Sequence, residues 1–172
     1  ITGSHNPPEY NGLKVGVGKG TLHGDGIQAL LRRILAGNFA TGSGTVGTHD
    51  IVTPYREYVR KNLQLGPRKL KVVVDAGNGT GGVIANPIFR SLGIDVVPLF
   101  EEMDGRFPNH HPDPTVEENL GFLKAKVLET GADLGIAYDG DADRVGAVDE
   151  KGTVLWGDQL MILFSRALLA EN

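Results

Sequence analysis

Leu70-Lys-Val-Val-Val-Asp75-Ala-Gly-Asn-Gly79-Thr-Gly-Gly82 is the stretch that decides the fold. Its first half, residues 70–74, is a compact β-branched run of the kind a sheet buries on both faces. Its second half is a glycine-rich turn, behind which Ile84, Ile88, Phe89 and Leu92 recur at helical spacing until Gly93 ends the run. A second apolar strand follows at residues 94–99. Strand, helix and strand in this order make a βαβ unit. Toward the C-terminus, Thr115 and Glu118 have the spacing of a capping box, next to Val116, Leu120, Leu123, Val127 and Leu128 on one helix face. Residues 134–138 and 145–148 read as two more short strands. Toward the N-terminus, Thr53-Pro54 is a helix start, a cap residue followed by Pro at the first helical position. Tyr55, Tyr58, Val59 and Leu63 then share a face, and Gly66-Pro67 is the stop signal. The expected class is α/β, with a mixed, mainly parallel sheet sandwiched by helices.

The flanks read differently. Residues 1–49 hold a polar loop, an apolar run at 13–17 and a helical pattern through Ile27, Leu30, Leu31, Ile34 and Leu35. They close on Thr41-Gly-Ser-Gly-Thr-Val-Gly-Thr48, a small-residue stretch of the kind that joins domains. That zone is too short to bury a core alone. Residues 153–172 open with a short apolar run and continue as a helix from near Asp158. The chain starts at Ile1 and stops within a helical pattern, so it is expected to be a piece of a longer protein: the end of one domain in 1–49, a whole domain in 50–152 and the start of another in 153–172. Hydrophobic residues at 40% and charged residues at 22% of 172 exclude a disordered charged tail. Twenty-five glycines are about twice the usual share, so many positions need turns or close approach. A net charge of -4 argues against a nucleic-acid partner. With no cysteine there is no disulfide, thiolate nucleophile or cysteine-held metal, which fits a reducing compartment. No apolar run approaches the roughly 20 residues of a membrane span. A cytoplasmic protein with no membrane partner is expected.

Several segments carry side chains suited to chemistry. Thr2-Gly-Ser4-His5-Asn6-Pro-Pro8 holds a hydroxyl between a glycine and two prolines, which restrict the backbone around it. Ser4 there is a candidate covalent acceptor, with His5 and Asn6 able to orient groups, or else part of a polar turn. Asp139-Gly-Asp141-Ala-Asp143-Arg144 directly follows a short strand, so it belongs at a strand's C-terminal end, where α/β sheets place ligands. Three alternating carboxylates converge only around a cation, and hard oxygen ligands suit Mg²⁺ or Ca²⁺. An EF-hand is excluded, because its sixth position needs glycine and here is Arg144. Gly77 to Gly82 contains G-x-G-x-x-G, which serves either a dinucleotide's pyrophosphate, with Asp95 or Glu101 as the downstream acid, or close packing alone. His110 and His111, between Pro108 and Pro112, could pair on a metal, although the prolines favour a hydrogen-bonded structural loop. Lys14 is either a solvated surface group or a cation aimed at phosphate.

Together, Ser4 with its loop, Tyr10-Asn-Gly-Leu-Lys14, residues 75–82, residues 104–114, and Ala132-Asp-Leu-Gly135 leading into 139–144 resemble the α-D-phosphohexomutase superfamily, specifically its bacterial phosphomannomutase/phosphoglucomutase branch. The resemblance spans nearly the whole chain, in order. It implies that Ser4 carries a phosphoryl group, that Asp139, Asp141 and Asp143 bind Mg²⁺ together with that phosphate, and that Arg144 grips phosphate oxygens. Lys14 would aid proton transfer or charge balance, and His5 and Asn6 would position groups. The implied reaction interconverts hexose 1- and 6-phosphates of mannose and glucose through a hexose 1,6-bisphosphate, and the chain alone is expected not to complete it. A phosphoglucosamine mutase is the nearest alternative, a dinucleotide-binding oxidoreductase domain the more distant one.

Overall fold

The computed structural model describes residues 4, 6–7 and 9–170. These divide into two compact units, one of residues 11–50 and one of residues 51–170 together with the described part of the segment 3–10. In the first unit, β1 (Gly16–Val17) and β2 (Gly20–Thr21) pair antiparallel ahead of α1 (Asp25–Leu35). Asp25 in the first turn of α1 and Arg32 and Arg33 in the last complement the helix dipole. Leu13, Val15, Leu22, Ile27 and Leu30 line a shared depression beside it. No residue of α1 is buried, as expected of a stretch too short to make its own core.

The second unit contains α2 (Val52–Asn62), β3 (Lys71–Asp75), α3 (Gly81–Ser91), β4 (Asp95–Leu99), a 3-10 turn at Glu117–Leu120, α4 (Gly121–Thr130), β5 (Leu134–Tyr138), β6 (Val145–Asp149), β7 (Val154–Leu155) and α5 (Gly157–Ala170). The sheet order is β4-β3-β5-β6-β7. Strands β4, β3 and β5 run parallel, because α3 and α4 supply the crossovers that parallel pairing requires. β5 and β6 are joined only by residues 139–144, too short for a crossover, so β6 returns antiparallel, as does β7 against β6. The mixed α/β sheet expected from the sequence is present. Its C-terminal edge gathers the loops that follow β3, β4 and β5.

Val73, Ala137 and Val148 of three adjacent strands form one buried cluster with Leu120, Leu123 and Val127 of α4 and its lead-in turn. Val72 and Val74, one position either side, point to the other face, and α3 packs against β3 and β4. Leu123 is fully buried, so Leu123→Ala should cost about 3 kcal/mol through lost burial and the cavity left behind. Equilibrium urea denaturation measures this.

Three local expectations are corrected. α2 starts at Val52, so Thr53 and Pro54 are its second and third residues rather than its cap and first residue. Pro54 is tolerated there because the first-turn N–H groups lack intrahelical partners anyway. The helix ends at Asn62, before Gly66, where Leu63 turns extended. Finally, the capping box does not form. The Thr115 hydroxyl donates instead to Asp113 Oδ1 at 2.7 Å, and a 3-10 turn with Val116 in its capping position starts the run. Leu120, Leu123 and Val127 are buried as expected, whereas Val116 and Leu128 face solvent.

α3 carries Pro87 in its interior. That ring removes the N–H that would bond the Val83 carbonyl, and the Arg56 guanidinium of α2 donates to that oxygen at 2.6 Å instead. At its C-terminus, Gly93 takes φ 85°. Its N–H bonds the Arg90 carbonyl, and that of Ile94 the Phe89 carbonyl, which caps the helix as a Schellman motif.

Candidate active site

The aspartate loop is the β5–β6 connection. Asp139 directly follows β5 and is fully buried. Its Oδ1 accepts the Arg144 backbone N–H at 3.1 Å, and its carbonyl accepts the Ala142 N–H at 3.1 Å, with Ala142 at φ 60°. This local ring of bonds turns the chain so that Asp141 and Asp143 come round toward Asp139. One carboxylate oxygen from each of the three lies within 4.8 Å of the others. Burial is graded, from a buried Asp139 through a half-buried Asp141 to an exposed Asp143. Three convergent oxygen donors, open on one side, suit a hard divalent cation that keeps part of its water shell.

Ser4 reaches the same place from 135 positions away. Its hydroxyl lies 2.9 Å from Asp139 Oδ2 and 3.1 Å from Asp141 Oδ1, and its single proton serves one carboxylate at a time. Ser4 takes φ 50°, a conformation rare outside glycine. The approach also depends on Gly140, because a Cβ there would overlap the Ser4 carbonyl oxygen. The serine, two of the three aspartates and the loop glycine therefore form one built contact.

Arg144 closes the loop. Its Nε lies 3.7 Å from Asp139 Oδ2 and 4.0 Å from Asp143 Oδ1, and its Nη1 lies 3.9 Å from Asp113 Oδ2. Held beside the aspartates yet two-fifths exposed, the guanidinium can offer its fork to an anion. Asn6 is exposed in the serine segment, and His5 lies outside the described residues. Lys14 belongs to the first unit and is exposed there.

The glycine-rich turn after β3 serves packing. A Cβ on Gly79 would stand 2.6 Å from the Gly140 carbonyl oxygen, and one on Gly82 would overlap the Glu101 backbone. The main chain of the neighbouring loops fills the space a pyrophosphate would need, so the dinucleotide reading finds no cradle. The Thr80 N–H donates to the Gly140 carbonyl at 3.0 Å, which ties this turn to the aspartate loop.

His110 has a partner that sequence reasoning missed. Its Nε2 lies 3.0 Å from Asp75 Oδ2 and its Nδ1 2.9 Å from the His111 carbonyl oxygen. Asp75 is fully buried and also accepts the Gly77 N–H at 2.9 Å. Phe100 packs edge-on to the imidazole at 5.4 Å, and Phe122 stacks on it at 6.2 Å between centroids. Burial by itself lowers the His110 pKa, but the hydrogen bond and charge of Asp75, with the His111 carbonyl, outweigh it and raise the value above 6.5. Both ring nitrogens face acceptors, which only the imidazolium satisfies together. No lone pair remains for a metal, so the structural-loop reading of His110 holds. The available signal was a carboxylate ending an otherwise apolar buried strand.

Residues 53–152 match the family described as phosphoglucomutase/phosphomannomutase, alpha/beta/alpha domain II. The chain belongs to the phosphoglucomutase/phosphomannomutase family. A relative named phosphomannomutase/phosphoglucomutase from Pseudomonas aeruginosa is 48% identical over the whole of this chain and 37% of its own length. One named phosphoglucomutase from Neisseria gonorrhoeae is 43% identical over the whole chain and 38% of its own length. A solved structure of a phosphoglucomutase/phosphomannomutase family protein from Burkholderia thailandensis aligns with TM-score 0.89 at 44% identity, over 99% of this chain and 37% of that one. The chain therefore spans under two-fifths of the length of these family members. No helix among the described residues is long and apolar enough to cross a membrane.

Proposed function

We propose that this chain supplies the phosphoserine and metal-binding part of a cytoplasmic enzyme that interconverts hexose 1- and 6-phosphates of mannose and glucose. The observation carrying this reading is the contact of Ser4 Oγ with Asp139 and Asp141, 135 and 137 positions away. It is supported by a family whose members bear mutase names for these two sugars. In the proposed division, residues 1–49 end one domain, 50–152 form the second and 153–172 begin a third. Whatever lies in the unmatched length of the relatives would supply most of the grip on the sugar.

The transfer balances simply. The bond between phosphorus and Ser4 Oγ breaks, a bond forms to the free hydroxyl oxygen of the hexose phosphate, and the hydroxyl proton ends on Ser4 Oγ. The product is a hexose 1,6-bisphosphate, which turns over and returns its other phosphoryl group to Ser4. A phosphoserine brings about -1.5 to -2 charge into a site already holding three carboxylates. Asp139, Asp141 and Asp143, with the Ser4 phosphate, would hold Mg²⁺, which when bound offsets that repulsion and draws charge from the transferring group. Arg144 would fork onto phosphate oxygens. Lys14 would balance charge or move the proton, and His5 and Asn6 would orient the phosphoryl group.

In the full-length protein, a hexose 1,6-bisphosphate should add one phosphoryl group to Ser4, read by intact mass and peptide mapping. Titration calorimetry should show Mg²⁺ binding that Asp141→Asn reduces at least tenfold, with no heat from a nicotinamide dinucleotide. Labelling at a residue other than Ser4, or undiminished Mg²⁺ affinity in Asp141→Asn, overturns the reading.

A further inference from the structure

The proline-rich loop between β4 and α4 has no part in the reaction as proposed above, yet it is fastened to both flanking turns. On one side, the Asp104 N–H donates to the Asn78 carbonyl at 2.9 Å and Asn109 Nδ2 to Asn78 Oδ1 at 2.7 Å, and His110 locks onto Asp75. On the other side, the loop meets the aspartate hairpin at three successive points. The Phe107 ring, on a backbone at φ 48°, comes within 3.4 Å of where a Gly140 Cβ would stand. Asp113 Oδ2 faces Arg144, and Pro114 lies 2.9 Å from the Cβ position of Gly146.

We infer that Asp113 is a positioning residue that aims the Arg144 guanidinium at the transferring phosphate; the inference rests on the mutase reading. Arg144 stands among three carboxylates, none within 3.5 Å of it. Two of them, Asp139 and Asp143, belong to the set proposed to hold the cation, so their charge is committed elsewhere. Asp113 is the one outside that set. Its aim is fixed, because Oδ1 accepts both the Thr115 N–H at 3.0 Å and the Thr115 hydroxyl at 2.7 Å, which leaves Oδ2 turned toward Arg144. Its side chain is only 16% exposed, so the attraction is weakly screened. The anchored loop thus carries a fixed negative charge to the arginine and leaves the metal ligands free of that task.

The test is single-turnover labelling of the full-length protein by a hexose 1,6-bisphosphate, in a double-mutant cycle of Asp113→Asn with Arg144→Gln. Asparagine keeps one acceptor oxygen for both Thr115 bonds and places an uncharged amide NH2 where the charged Oδ2 faced Arg144. Asp113→Asn should slow the labelling rate constant about tenfold, within the range of coupling between contacting groups. The fraction of protein labelled should not change, since a role in folding alone would lower that amplitude rather than the rate constant. In the Arg144→Gln background the same substitution should change the rate by less than about twofold. Asp113→Ser, read the same way, stands in if the asparagine variant does not fold. A wild-type rate in Asp113→Asn, a loss confined to amplitude, or equal slowing in both backgrounds overturns the inference while leaving the mutase reading intact. A wild-type protein that takes no label overturns the mutase reading itself.

Discussion

If the proposed mutase reading holds, Ser4→Ala should abolish covalent phosphorylation by a hexose 1,6-bisphosphate and lower mutase turnover in the full-length protein by at least ~10³-fold, the scale on which removing a nucleophile acts. The expectation follows from placement: the Ser4 hydroxyl lies within hydrogen-bond distance of Asp139 and Asp141, two of the three clustered carboxylates. Stability should change by less than about 1 kcal/mol, because the lost bond belongs to a half-buried side chain and its acceptors keep solvent access at Asp141. Intact mass reports the phosphoryl group, coupled turnover reports the rate, and urea denaturation reports the fold. Retained labelling, or a turnover loss that tracks unfolding, removes Ser4 from the chemistry.

His110→Ala should destabilise the protein by about 3–5 kcal/mol, since it leaves a buried carboxylate without its counter-charge. Asp75 is fully buried, and without the imidazole the neutral Gly77 N–H still donates to it but brings no charge. The effect carries a pH signature whose sign follows from the raised His110 pKa. A pKa raised by folding contributes stability that is complete below the unfolded value near 6.5 and is lost as pH rises through the folded value. The wild-type advantage over His110→Gln should therefore be greatest below about pH 6.5 and shrink above it. Denaturation curves of both proteins across that window give the difference directly; an advantage that grows with pH shows the ring to be neutral in the fold.

How legible the site was depended on distance along the chain. Residues 139–144 were readable because three carboxylates so close in sequence can share one loop only around a cation. Residues 70–82 were readable as strand and turn because burial on both faces leaves an unbroken apolar run. The Thr115–Glu118 box was misread because spacing alone does not say which acceptor a hydroxyl meets, and Asp113 stood two residues away. The start of α2 was misplaced for a related reason: a first turn accepts Pro at more than one position.

What the sequence determined by itself was the α/β class, the place of the acidic loop at a strand's end and a candidate serine, since each rests on neighbours in the chain. The tertiary structure alone decided that the serine and aspartates meet, that the glycine turn packs against main chain instead of a nucleotide, and that Asp75 pairs with His110 and raises its pKa. Each of these joins groups between 19 and 137 positions apart, and no local preference specifies a partner that only the folding of the sheet delivers.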